Sequence, residues 1–179
     1  MYSNNEEGKL RMVIGHTTGV YDMFHIGHLN AIQHAKAQCD YLIVGVSTDE
    51  LVQREKGKTP VIPYEERAAI VEAIKYVDKV VPQPDKDKFG AWDKYHFNKM
   101  FVGSDWQGTP QWKVYEEEFA TVEVEIVYLP HTDGISSTKL AYVIKNLLDE
   151  HPEILGGILR FEINFASRNL CLSSIREVA

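Results

Sequence analysis

Five short runs rich in β-branched residues recur between longer helical patterns: "MVIG" (12–15), "YLIVGVS" (41–47), "KVVP" (79–82), "MFVG" (100–103) and "VEIVYLP" (124–130). Strands that alternate with helices predict an α/β fold, here a Rossmann-like, doubly wound, parallel five-stranded sheet with right-handed crossovers. The second run does not alternate apolar with polar residues, as expected of a strand covered by helices on both faces. The first helix follows Gly27 and places Leu29, Ile32 and Ala35 on one face. "PYEERAAIVEAIKYV" opens with Pro63 and acidic residues and lines up Ile70, Ala73, Ile74 and Val77. Ser47 and Glu50 in "STDE" have capping-box spacing and mark another helix start.

These patterns predict one domain over 1–145 and a C-terminal helical extension over 146–179 with no assigned role. A chain of 179 residues, 44% hydrophobic, can bury one core of ordinary size. With 26 acidic against 19 basic side chains the net charge is -7, which argues against nucleic acid or an anionic membrane as partner. Cys39 and Cys171 form no paired spacing, so neither a disulfide framework nor a C-x-x-C metal site is suggested. The N-terminus is polar, and the longest apolar run, "YLIVGV", is far below a bilayer span. The expectation is a cytoplasmic protein.

The stretch "TTGVYDMFHIGHLNAI" (17–32) runs out of the first strand into Gly19 and Val20 and sets His25 and His28 on either side of Gly27. In an open parallel sheet that place is the crevice at the carboxyl ends of the strands. A helix N-terminus attracts anions there, and Gly27 leaves room for a phosphate. Residues three apart share a helical face, so both imidazoles can address one bound group, either as cations or as neutral hydrogen-bond donors. Taken alone, the motif is equally well a helix cap plus a core residue. A metal centre is disfavoured, since no Cys, Asp or Glu lies at matching spacing. "HTDGISSTKL" (131–140) follows the fifth strand with a glycine, hydroxyls and a helix start, a second potential anion site in which Ser136 or Ser137 is otherwise simply an N-cap. "QREKGKTP" (53–60) clusters Arg54, Lys56 and Lys58 on the same side of the sheet.

Taken in order, "GVYDMFHIGH", "YLIVGVSTDEL", "PYEER", "IKYVDKVV", "FVGSDWQG" and "YLPHTDGISSTKL" resemble the cytidylyltransferases, from about residue 12 to residue 145. "HIGH" is shared with class I aminoacyl-tRNA synthetases, but a KMSKS-type loop is absent. Adenylyltransferase relatives usually carry arginine where this chain has Ala141. The resemblance implies a nucleotidyltransferase fold, CTP and a small phosphorylated alcohol as substrates, nucleotide-bound Mg²⁺, and a homodimer. Glycerol 3-phosphate is the first expected acceptor. Phosphocholine, phosphoethanolamine or another alditol phosphate is the alternative, and a non-catalytic nucleotide-binding regulator is the reading from a different class.

By the same resemblance, His25, His28 and Lys56 are the catalytic set. Thr18, Gly19, Val20, Tyr21, Gly27, Lys58, Lys75, His131, Thr132, Gly134, Ile135, Ser136, Ser137 and Thr138 join the two histidines around the nucleotide. Lys56, Asp22, Asp105 and Trp106 attend the acceptor, although a turn aspartate such as Asp22 is commonly a backbone cap. Arg67 divides evenly between a phosphate and a surface pair with Glu65 or Glu66, and Trp92, Trp106 and Trp112 read as packing residues. The chain departs from the family pattern at His131, Asp133, Lys75 and Ser104, where arginine, glutamate, arginine and an acidic residue are usual. At His131 a permanent bidentate charge becomes a titratable one.

Overall fold

A computed structural model describes residues 3–4, 10–151 and 153. After a two-residue antiparallel pair, β1 (Ser3–Asn4) with β2 (Leu10–Arg11), the chain alternates strand and helix as its periodicity predicts. β3 (Ile14–Gly19), α1 (Ile26–Lys36), β4 (Tyr41–Ser47), α2 (Asp49–Lys56), α3 (Tyr64–Glu72) and β5 (Lys79–Gln83) form the first half. α4 (Lys88–Tyr95), β6 (Lys99–Gly103), a 3-10 turn (Ser104–Trp106), α5 (Pro110–Ala120), β7 (Glu125–Leu129) and α6 (Ser137–Glu150) form the second. The chain divides into two compact units, Met1–Ser137 and Thr138–Ala179. Most of the extension expected over 146–179 lies outside the described residues.

The five long strands are all parallel, in the order β5-β4-β3-β6-β7. β3 occupies the centre, with Thr17 paired to Val44 on one side and Phe101 on the other. The chain leaves β3 outward through β4 and β5, returns to β6 beside β3, and then runs outward to β7. Adjacent strands whose connections diverge leave a crevice at their carboxyl ends. Here that switch point lies between the ends of β3 and β6, where Gly19 and Gly103 stand.

Alternation along each strand divides the core between two faces. Leu42, Val44 and Val46 of β4 pack with Ile32 and Ala35 of α1 and Val71 of α3. On the other face Met100 joins Phe97, Trp112, Phe119 and Val124. Ile32 and Ala35 are fully buried as expected, whereas Leu29 is only half-buried. The helix after Pro63 is shorter than its pattern suggests. It ends at Glu72, leaves Ile70 exposed, and buries Arg67 and Val71 instead. The cap of α2 also moves by one residue. Thr48, not Ser47, accepts the Leu51 N–H at 3.2 Å, because Ser47 is still in the strand and donates to Gln83 Oε1 at 2.9 Å.

Arg67 does not form the surface pair expected with Glu65 or Glu66. It is 1% exposed and its guanidinium is shared among four acceptors. Nε donates to the Ile62 carbonyl at 2.8 Å, Nη1 to the carbonyls of Ser47 at 2.9 Å and of Val20, and Nη2 to Asp49 Oδ1 at 2.5 Å. Arg67→Ala is expected to destabilise the fold by about 3–5 kcal/mol, because carbonyls at two strand ends lose a buried charged donor. Arg67→Lys, lacking the planar fork, should recover less than half of that. Urea denaturation of both variants checks this, and a loss below about 1 kcal/mol for the alanine would contradict the role.

Candidate active site

The turn after β3 is held in an uncommon conformation. Tyr21 and Met23 have φ of 56° and 47°, the left-handed region that costs non-glycine residues energy and is found where function imposes it. Arg67 takes the Val20 carbonyl, and both carboxylate oxygens of Asp22 accept backbone N–H groups, from Val61 at 3.0 Å and Ile62 at 2.9 Å. Asp22 is therefore the clamp that fastens the loop beyond Lys58 to this turn. Its carbonyl also receives the Ser137 hydroxyl at 2.7 Å.

The two histidines open α1 as a reciprocal cap. His25 is the N-cap, and its Nδ1 accepts the Gly27 N–H at 3.1 Å. His28 Nδ1 accepts the His25 N–H at 3.4 Å, and the rings stack with centroids 3.9 Å apart. A nitrogen that accepts an N–H carries no proton, so each ring is the neutral tautomer protonated at Nε2. Of the two protonation states that the motif allows, the cap selects the neutral donor. Burial holds the His28 imidazole down at about 4, helped by His25 and opposed by Asp22. His25 is lowered by burial and by His131. The pair thus offers two Nε2–H donors in place of two cations. Gly27 also differs from expectation. Its amide is engaged by His25, and a Cβ there would stand 2.9 Å from His25 Cε1, so the glycine makes room for the imidazole rather than for a ligand.

The strip after β7 lies against this helix start. Asn30 Nδ2 donates to Thr132 Oγ1 at 3.1 Å, and Gly134 turns the chain with φ of 89°. Ile135, Ser136 and Ser137 follow half-buried, and Thr138 begins the second unit. His131 Nδ1 faces Asp105 Oδ2 at 3.9 Å, both exposed, a surface pair of small energetic weight. Asp105 thus meets the residue that stands at the family's arginine position, not the acceptor-side lysines. Lys75 is not at this edge. It sits in the turn before β5, at the amino ends of the strands, with Nζ 4.9 Å from the Tyr76 ring centroid.

At the carboxyl end of β3, Thr18, Gly19 and Val20 form one wall of a cavity of about 220 Å³ whose other walls carry Lys56, Lys86, Lys88 and Trp106. Trp106 is 51% exposed at its rim, whereas Trp112 is buried and Trp92 packs with Phe89. Burial, then Lys58 and Lys86, push the Lys56 ammonium below its ordinary value. Lys88 is brought down to about 8, by burial first, and its Nζ donates to Thr18 Oγ1 at 2.8 Å. Glu55, the carboxylate of this wall, is shared between Lys86 and Arg54, so the wall holds more positive charge than it neutralises. Lys58 stays exposed beyond the C-cap Gly57. Lys86 and Lys88 are the site residues that sequence reasoning missed. Their signal was present in "PDKDK", where a basic pair follows β5 and Asp87 caps α4 through Gly90 N at 2.7 Å.

A parallel sheet with paired donors and a lysine wall at its switch point defines a nucleotide-handling enzyme of the Rossmann-like class. The description "Cytidylyltransferase-like" matches residues 16–142, and the chain belongs to that family of nucleotidyltransferases. It is 38% identical over 125 residues to the glycerol-3-phosphate cytidylyltransferase of Bacillus spizizenii, covering 69% of this chain and 91% of that protein. The FAD synthase of Pyrococcus abyssi is 31% identical over 144 residues, 79% of this chain and 94% of that one. Among solved structures, the lipopolysaccharide core biosynthesis protein from Thermoplasma volcanium superposes with a TM-score of 0.60 at 25% identity. That match covers 69% of this chain and all of that one (100%).

The neutral cap has a consequence for stability. The folded value for His28, about 4, lies below the unfolded reference of about 6.5, so the unfolded chain binds the proton first. Stability from this site is complete above pH 6.5 and is lost as pH falls toward 4, in step with that shift. Urea midpoints at about pH 7 and about pH 4.5 should therefore differ less for His28→Gln than for the wild type, and an equal difference would contradict the neutral cap.

Proposed function

We propose that the chain transfers CMP from CTP to a small phosphorylated alcohol, with glycerol 3-phosphate as acceptor. A phosphate oxygen of the acceptor attacks the α-phosphorus, a new P–O bond forms, and the bond to the bridging oxygen breaks to release pyrophosphate. No protein nucleophile is required, so catalysis consists of positioning and charge stabilisation. The observation that carries the reading is the stacked His25–His28 pair, whose two Nε2–H donors open α1 just after β3, the strand whose end walls the cavity lined by Lys56 and Lys88. In this reading the histidines hold phosphate oxygens of the nucleotide, the strip 131–137 holds base and ribose, and the two lysines hold the acceptor phosphate.

Mg²⁺ enters only as a companion of the triphosphate, where it would offset phosphate charge. Among the described residues no three His, Cys, Asp or Glu side chains gather to hold a metal ion, and Mg²⁺ is commonly bound through substrate phosphates and water. We assign it no step. No helix among the described residues is long and apolar enough to cross a membrane. A cytoplasmic homodimer completes the proposal by family likeness, and light scattering should return twice the chain mass.

Pyrophosphate release with CTP and a panel of phosphorylated alcohols tests the reading, and turnover with any of them excludes a purely regulatory nucleotide binder. His28→Ala should lower kcat by about 100-fold or more while CTP affinity changes by no more than about threefold, because its donor matters most where charge develops. Lys88→Ala should instead raise KM for the acceptor by about tenfold or more, the scale of a charged hydrogen bond. Equal losses in CTP binding and kcat would remove His28 from the chemistry.

A further inference from the structure

A second cavity of about 260 Å³ opens beside the lysine-walled one and shares Thr18, Gln83 and Lys88 with it. It lies on the α4 side of the sheet, against His16, Gly45 and Tyr95. Its volume is roughly nine times the ~30 Å³ share of one water molecule, enough for a short chain carrying several hydroxyls.

His16 is its unusual member. Alternation along β3 turns Ile14, His16 and Thr18 to the same face, and an apolar residue would be ordinary at the middle position. The imidazole is 2% exposed, stacked on Phe97 at 4.8 Å and 8° and close to Tyr95 at 5.9 Å. Its Nδ1 is buried without a hydrogen-bond partner, a costly placement for a polar atom that the fold does not itself require. The space beside it exists because residue 45 is glycine. A Cβ at Gly45 would stand 3.6 Å from His16 Nε2 and 2.9 Å from Thr18 Cγ2.

The chemistry of the walls selects the ligand. A neutral imidazole has one donor and one acceptor, which matches a hydroxyl that both gives and receives. Lys88 and Lys94 line the same space and disfavour a quaternary or primary ammonium headgroup. Of the carboxylates there, Asp87 caps α4 and Asp85 accepts the Asp87 N–H at 2.9 Å. Nor is an aromatic cage formed, since Tyr95 stacks on His16, Trp92 packs on Phe89, and Trp106 borders the other cavity.

We infer that this cavity is the alcohol subsite of the acceptor, and that His16 is its specificity-determining residue, bonding a hydroxyl of a polyol phosphate whose phosphate rests by Lys88. The inference rests on the cytidylyl-transfer reading above.

The test compares glycerol 3-phosphate, propyl phosphate, which lacks both hydroxyls, and phosphoethanolamine, with the wild type and with His16→Phe, which keeps a stacking ring and removes both nitrogens. The wild type should prefer glycerol 3-phosphate over propyl phosphate by about tenfold or more in kcat/KM, the scale of one hydrogen bond. His16→Phe should lose that preference through KM for glycerol 3-phosphate, with propyl phosphate turnover and CTP affinity unchanged. A parallel loss on both acceptors, an unaltered preference, or better use of phosphoethanolamine by the wild type overturns the subsite. If His16→Phe does not fold, the wild-type ratio decides, and equal turnover of the two phosphates overturns it. Absence of pyrophosphate release with every acceptor defeats the transferase reading and the subsite together, whereas release with an unaltered preference defeats the subsite alone.

Discussion

The buried guanidinium of Arg67 is the constraint on which the site depends. One planar group reaches the last carbonyl of β4, the carbonyl just past β3, the loop ahead of α3 and the first turn of α2. Burying a charge is tolerable only when its hydrogen-bonding capacity is largely met, and here four of the five N–H donors are directed at four fixed acceptors. The result is that the turn carrying Tyr21 and Met23 and the helix carrying Lys56 are tied to one centre. Asp22 repeats the arrangement from the other side by accepting from Val61 and Ile62. The loop bearing Lys58 is thereby anchored at both ends, at Gly57 and at Val61.

Two kinds of electrostatics meet at the crevice. The histidine pair is half-buried, stacked and neutral, and supplies directed donors whose orientation costs little to maintain because each ring is already part of the helix cap. The lysine wall is charged and partly desolvated, and its ammonium groups raise one another's cost of ionisation. A ligand with several phosphate oxygens relieves that cost, which is why a protein with net charge of -7 keeps a local cationic surface.

The departures from the family pattern fall where the structure tolerates them. His131 and Asp105 are both exposed, so exchanging arginine for a titratable ring there alters a solvated surface. Lys75 lies at the opposite edge of the sheet, and its lost fork has no bearing on the phosphates.

Much was legible in the sequence because its signals are local. The strand order could not be read, but the alternation of five strands with helices could, since periods of two and 3.6 residues report which face is buried. The spacing of His25 and His28 likewise determined a shared helical face. What tertiary structure alone decided is what depends on distant partners. The Val20 carbonyl lies 47 residues from Arg67, and Thr132 lies 102 residues from Asn30. Lys88 joins the site only because β5 ends beside β4, and Lys75 leaves it because the turn that carries it precedes that strand. The protonation state of the histidines, too, was settled by which atoms face Nδ1. A sequence states which groups a segment can offer, whereas burial and the partner opposite determine which of them remain available to a ligand.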